Sequence, residues 1–474
     1  MAVHFSVVPY PGENVLFNRV RKLNSAEARK GGRYVLYWAQ MNRRVESNHA
    51  LSCAVNLANE LNLPVLFYEG LTCSYPHAND RFHTFLLEGV PGTARRLLAL
   101  GIGYVFHLRH RRSDPNDALY RLASEAAALV TDDYPVFVAR DHNRSVPSKL
   151  AIPYLAVDSS CIVPMSHFTK QEYAAYTIRP KIKKVLDACL QPVAPLRVKR
   201  RFSGALPPLH TDVTASNIAE LVKSSEIDHS IAPSTEIRGG RDEAECQFRH
   251  FLDHNLRRYA KFSREPSARA TSGLSPYLHF GHISSLEVAL AVREYAEEHK
   301  LIADEFLEEL IVRRELAFNF ARFSPLLDSL NALPDWARAT LAKHDRDPRD
   351  PAYTREQFEH AATYDALWNA TQTELLTRGV IHGYYRMYWG KKIMEWSPTH
   401  EDALATMIYL HGRYALDGRD PNTYANILWC FGLHDRPWSD RPIFGMTRYM
   451  TLDGMRRKTD VDAYIREVTQ GRLL

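Results

Sequence analysis

His382-Gly383-Tyr384-Tyr385-Arg386-Met387-Tyr388-Trp389-Gly390-Lys391-Lys392-Ile393-Met394-Glu395-Trp396 holds two tryptophans, three tyrosines and two methionines in fifteen residues, broken by Arg386 and a Lys-Lys pair. On a helical period, Tyr385, Tyr388, Trp389, Lys392, Ile393 and Trp396 fall at i, i+3, i+4, i+7, i+8 and i+11, which is one face. The spacing predicts a buried amphipathic helix with an aromatic core. Whether that core does more than pack depends on the residues around it.

Downstream of Gly240 no strand rhythm appears. Residues 243–259, 284–300, 304–320, 335–343 and 355–362 all read as helices, so 241–474 is expected to be an all-α domain able to hold a cofactor between helices. Residues 190–240 gather Pro192, Pro195, Pro207, Pro208 and Pro233 among serines, threonines and Lys199-Arg200-Arg201. They read as an interdomain linker with one short helix over 216–223.

Residues 33–189 alternate instead. Apolar runs of strand length at 34–38, 65–68, 104–106 and 136–138 are separated by helical patterns at 48–61, 81–88 and 119–129. This predicts an α/β domain with a Rossmann-like parallel sheet, whose ligands sit at the carboxyl ends of the strands. No G-x-G-x-x-G follows a strand, and Gly101-Ile102-Gly103 leads into one, so the standard dinucleotide fingerprint is absent. Residues 1–32, carrying Arg19, Arg21, Lys22, Arg29 and Lys30, lack an apolar signal region and read as a flexible arm.

The 474 residues are 45% hydrophobic and 24% charged, with no apolar run long enough to span a bilayer. Six scattered cysteines without a C-x-x-C pair argue against a disulfide framework or zinc ribbon and for a reducing, cytoplasmic setting. A net charge of +5 is too mild to indicate nucleic acid by itself. The 21 histidines form no H-E-x-x-H, and no metal site is expected. A P-loop and a G-x-S-x-G elbow are likewise missing.

Four segments carry candidate chemistry. Ser272-Gly273-Leu274-Ser275-Pro276 is either an ordinary capped helix start or a set of N–H and O–H donors for phosphate. Glu309 lies on a strongly apolar helical stretch and matters only if turned into a cavity. Asp417-Gly418-Arg419-Asp420-Pro421-Asn422 is a connector, or it brings a carboxylate to a buried cation, for which Arg386 is the choice. The C-terminal region with Arg436, Trp438, Arg441 and Arg448 is a solvated charged face or a surface for phosphates and exposed bases.

Together these motifs resemble the class II cyclobutane pyrimidine dimer photolyases. The likeness is carried by Tyr37-Trp38-Ala39-Gln40, Arg44-Val45-Glu46-Ser47-Asn48, Thr177-Ile178-Arg179-Pro180, the stretches 274–281 and 309–316, and Leu367-Trp368-Asn369-Ala370. It continues through 382–396, 414–422, Arg441-Pro442-Ile443-Phe444-Gly445 and Arg448-Tyr449-Met450. The resemblance implies an α/β antenna-type domain, and an all-helical domain binding FAD and the DNA lesion. Its chemistry would be light-driven splitting of dimers in double-stranded DNA by electron transfer from reduced flavin.

By resemblance, Tyr259, Ser272, Gly273, Leu274, Ser275, Arg386, Asp417, Asp420 and Asn422 are FAD-binding positions. Trp389, Trp368 and Trp396, in that order outward, are the electron-transfer chain. Glu309 hydrogen-bonds the dimer, Met387 and Trp429 pack on it, and Arg436, Arg441 and Arg448 touch phosphate or the gap left by flipping. His411 stands where the family usually has Asn, near the flavin edge, where a histidine could hydrogen-bond or donate a proton. The segment 429–434 looks one residue short. The antenna chromophore, deazaflavin or folate, is left open. A cytoplasmic monomer is expected, nucleoid-associated in a bacterium and without membrane partners. The rival readings are a cryptochrome-type photoreceptor and a DNA-binding module without flavin.

Overall fold

The computed structural model describes residues 19–470. The first half is a six-stranded sheet of β1 (Val20–Lys22), β2 (Tyr34–Trp38), β3 (Val65–Thr72), β4 (Gly103–Arg109), β5 (Ala126–Asp132) and β6 (Tyr154–Val157), in the order β1-β6-β5-β2-β3-β4. All neighbours run parallel except β1, which pairs antiparallel with β6 at the edge. Helices α1 (His49–Glu60), α2 (Asp80–Leu100), α3 (Ala118–Glu125) and α4 (Phe137–Ser145) connect the strands, and α5 (Ala175–Cys189) follows the sheet. Strands β2 and β5 are buried along their whole length, as a parallel sheet between helical layers requires.

Three expectations for this half need correction. Residues 126–129, read as the end of a helix, open the central strand β5. Alanines favour helices, but here the chain packs closely on the strand: a Cβ on Gly32 would lie 2.5 Å from the Ala127 backbone, so only glycine allows that approach. Residues 136–138, read as a strand, start α4, because Phe137 takes a left-handed φ of +55° that ends the extended run. The segment 19–32 is no arm. Arg19 donates to the carbonyls of Asp158, Cys161 and Ile162, and Arg21 holds Asp133 with two bonds of 2.6 Å. Residues 1–18 of the expected arm lie outside the described residues.

Residues 190–240 are irregular apart from α6 (Ile218–Lys223). Beyond them come α7 (Arg241–His250) and α8 (Leu256–Phe262), joined by the π-helical turn Phe251–Asn255. Next are α9 (Ser275–His279), α10 (Ser285–Glu298), and α11 (Asp304–Leu307) joined to α12 (Arg314–Phe323) by the π-helical turn Glu308–Arg313. Helices α13 (Asp335–His344), α14 (Arg355–Glu359), α15 (Ala366–Arg378), α16 (Gly383–Trp396), α17 (His400–Tyr414), α18 (Pro421–Cys430), α19 (Leu452–Arg456) and α20 (Val461–Gln470) complete the chain.

Helix α16 buries all six residues of its aromatic stripe, and also Gly390, Lys391 and Met394 on the other side, so it is enclosed nearly all round. Lys391 is accommodated because its Nζ donates to the Cys430 carbonyl and Thr447 and lies 5.5 Å from the Phe444 ring centre. Burial lowers its pKa to about 8.

The two halves are tied by buried polar groups. Arg81 of α2 donates to the carbonyls of Leu375, Leu376 and Tyr414. Glu315 of α12 accepts the backbone N–H groups of Ile162 and Val163 at 2.7 and 2.9 Å.

Candidate functional site

Helices α16, α17 and α18 converge on a buried polar cluster. Gly418 lets the turn after α17 fold back against it, since a Cβ there would meet the His411 carbonyl at 1.9 Å. That turn aims Asp417 at Arg386, whose Nη2 lies 3.0 Å from both carboxylate oxygens. Thr423 donates to the Asp417 carbonyl at 2.7 Å and steadies the same turn. Asp420 caps α18, accepting the backbone and side-chain N–H of Asn422 at 2.9 and 2.7 Å. Its other oxygen accepts the Tyr134 hydroxyl at 2.8 Å and lies 3.3 Å from His279 Nδ1. Burial opposes ionisation there, but His279 and the Asn422 N–H hold the carboxyl well below the usual range.

His411 faces this cluster. Its Nδ1 is 2.9 Å from the Met407 carbonyl, which can only accept, so Nδ1 carries the proton. Burial, then Arg386, lowers the imidazole pKa to about 3. The neutral ring therefore presents a lone pair at Nε2. Of the two roles expected for His411, hydrogen bonding or proton donation, this ring state offers the first, as an acceptor at Nε2. Its Nε2, together with Nε of Arg386, Nε2 of His382 and Nε1 of Trp429, is buried without a hydrogen-bond partner. Buried polar atoms of this kind call for a polar ligand.

On another side, Gln247 of α7 donates to the Ser272 carbonyl at 2.8 Å and fixes the loop that enters α9. Gly273 has φ +67°, Leu274 is buried, and Gly273 and Ser275 are exposed. Tyr259 packs edge-on against Phe251 and Phe306. Burial and then Glu309 raise its phenol pKa, keeping it a neutral donor.

The tryptophans form one continuous path. Trp389 and Trp368 stack with ring centres 6.2 Å apart and planes 4° from parallel, and Trp396 meets Trp368 edge-on at 6.2 Å. Trp368 Nε1 donates to the Trp389 carbonyl and Trp389 Nε1 to Gln372, both near 3 Å. His411 stands perpendicular to Trp389 at 4.9 Å, which links the path to the polar cluster. Trp396 is only 1% exposed. The path reaches the surface through Tyr364, 5.3 Å from Trp396 and 65% exposed.

Glu309 lies on the π-helical turn before α12: it is exposed, yet the surrounding protein raises its carboxyl pKa. Arg313, four residues on, pulls the other way. Met387 touches Cys430 sulfur to sulfur at 3.6 Å, and Trp429 lies under the Arg313 guanidinium. Farther out, Arg436 and Arg448 flank the exposed Trp438 at 5.4 and 4.8 Å, and Arg441 lies over Tyr449 at 5.3 Å.

A cavity of about 340 Å³ opens at the carboxyl ends of β2, β3 and β4, among Trp38, Tyr68, Arg109 and His142. It occupies the place that a parallel sheet reserves for a ligand.

The fold thus gathers Arg386, Asp417, His411, Asp420 and Asn422 with the tryptophan path. Ser272–Ser275 connect to them through α9 and His279. Glu309 and Trp429 both neighbour Arg313, Met387 packs on Cys430 next to Trp429 in the chain, and Arg436, Arg441 and Arg448 stand apart on the C-terminal loop. Sequence reasoning passed over Thr423, Gln372, His279 and Arg313. Arg313 and His279 each lay in a quoted motif, Arg313 one helical turn from Glu309 and His279 within 274–281; Thr423 and Gln372 act through contacts distant in sequence.

Residues 35–198 match the family model described as DNA photolyase. The deoxyribodipyrimidine photo-lyase of Methanothermobacter thermautotrophicus is 40% identical over 94% of this chain and 97% of its own length. That of Arabidopsis thaliana is 36% identical over 91% and 88%. Among solved structures, a bacterial class III photolyase from Agrobacterium tumefaciens superposes with a TM-score of 0.67 at 18% identity, over 94% of this chain and 88% of that one. An archaeal photolyase from Sulfolobus tokodaii, solved with two FAD molecules, gives 0.63 at 18% over 91% and 89%.

Proposed function

The chain belongs to the deoxyribodipyrimidine photo-lyases of the DNA photolyase family, and from that premise we propose that it repairs cyclobutane pyrimidine dimers in DNA as a class II enzyme. The observation that carries the reading is the junction of a continuous Trp389–Trp368–Trp396 path with partnerless buried polar atoms beside the Arg386–Asp417 pair. The donor set fits FAD: Arg386, Asp417, His411, Asp420, Asn422, Tyr259 and Ser272–Ser275 offer cationic, anionic and hydroxyl groups around a buried aromatic wall. When bound and reduced, FAD supplies the light-excited electron donor.

The chain's own residues do the rest. Arg386 and Asp417 hold charge at a fixed place in a water-poor interior, where it acts strongly. His411 offers only an acceptor, which favours a bound ring that presents N–H. The Glu309 carboxyl, with its pKa raised, keeps a proton to higher pH than a free glutamate and can hydrogen-bond a pyrimidine carbonyl. Met387 and Trp429 give flat, apolar contact for a lesion turned out of the helix. Arg436, Arg441 and Arg448, each set over an aromatic ring, suit phosphate and unstacked bases. The cavity in the α/β half is the candidate antenna site.

Relatives that match nearly the whole chain carry the repair enzyme's name, which favours repair over a photoreceptor. The test is recovery of intact pyrimidines when reduced protein meets dimer-containing DNA under blue light, with a dark control. Recovery in the light only is expected. Its absence despite bound flavin overturns the proposal.

A further inference from the structure

The Glu308–Arg313 turn carries an arginine that nothing above employs. The Arg313 guanidinium lies 5.7 Å from the Trp429 ring centre, and its side chain is 35% exposed. Its Nε lies 3.5 Å from Glu308, and Glu309 is a second carboxylate within electrostatic reach. Glu308, however, is already taken by Arg179 through bonds of 3.0 and 2.6 Å. Arg179 takes the closer bonds to Glu308, so Arg313 is left as the looser partner of that carboxylate. Among the described residues no hydrogen bond engages the terminal nitrogens of Arg313, and its Nε is buried without one. Arg313 is within electrostatic reach of Glu309, where it opposes the rise that burial causes, and of His434 at the start of the C-terminal loop.

A half-open guanidinium over an indole, its terminal donors free, suits an anion beside a flat apolar group. We propose that Arg313 is a specificity-determining residue that binds the phosphodiester linking the two dimerised pyrimidines. The pyrimidines themselves pack on Trp429 and Met387. This rests on the repair reading above. A single extruded base does not bring that phosphate to this place, so Arg313 selects a dinucleotide lesion.

The test is equilibrium binding in the dark, at several salt concentrations, of full-length protein to a duplex with one cyclobutane dimer and to its undamaged counterpart. Arg313→Gln is expected to weaken binding to the dimer duplex by about tenfold and to flatten the log–log salt dependence by about 0.7–0.9. Binding to undamaged duplex should be unchanged. Arg313→Lys should keep the salt dependence and recover part of the affinity, since charge remains but the stacked fork is lost. Thermal melting of both variants checks that they are folded. Equal weakening toward both duplexes, or none toward either, overturns the proposal. If the unsubstituted protein fails to prefer the dimer duplex, the repair reading itself falls, and that outcome is seen before any variant is compared.

Discussion

Trp389 touches both the polar cluster and the rest of the aromatic path, through His411 at 4.9 Å and Trp368 at 6.2 Å. Phenylalanine there keeps much of the packing but is far harder to oxidise than an indole. Trp389→Phe should slow photoreduction of oxidised flavin by about tenfold or more while leaving repair by pre-reduced protein nearly intact, since in the proposed function the path serves reduction and not ring opening. Transient absorption and a repair assay read the two separately, and unchanged photoreduction would remove the path from the reading. Charge singled out Arg386 as the partner of a carboxylate in 417–422, the resemblance pointed to Asp417, and the two meet at 3.0 Å. His411 was open between donor and acceptor, because a tautomer depends on what the other nitrogen touches, and that is the Met407 carbonyl one helical turn away.

At the scale of elements, the turn between α17 and α18 sets the site. Gly418 is needed for close approach, since a methyl group would overlap the His411 carbonyl. Gly418→Ala should destabilise the protein by about 1–3 kcal/mol and displace Asp417 from Arg386. The variant should leave purification with less flavin per protein, measured from the absorption ratio; full retention would mean that Asp417 does not depend on this turn. Helix α16 was legible because its period was unmistakable. The path it belongs to was less so. Trp389 and Trp396 are separated by two turns of one helix, and the ring that closes the gap, Trp368, comes from α15. The π-helical turn under Glu309 and Arg313 left no mark in composition or period.

At the scale of the molecule, Glu315 joins the halves through the N–H groups of Ile162 and Val163. Burial raises its carboxyl pKa from 4.5 to about 8, and its second oxygen has no partner. The folded state thus holds a proton that the unfolded chain gives up above about pH 4.5. By linkage, this group's contribution to stability is full below that pH and declines as pH rises toward 8. Glu315→Gln keeps a carbonyl for the two N–H groups and carries no charge. It should flatten the fall in melting temperature between pH 5 and 8, and an unaltered pH profile would show that Glu315 is ionised in the fold.

Read alone, the sequence determined the division into an α/β half and a helical half. Periods of 2 and 3.6 are local, and burial enforces them residue by residue. It also supplied the charged and aromatic residues of the site through motifs held in order along the chain. Only tertiary structure decided that 126–132 is a central strand, that residues from Arg19 onward join the sheet, and that Trp368 bridges its two neighbours. It also decided that the Arg313 guanidinium sits over Trp429. Each of these depends on a partner distant in sequence, and neither propensity nor spacing encodes which distant group arrives.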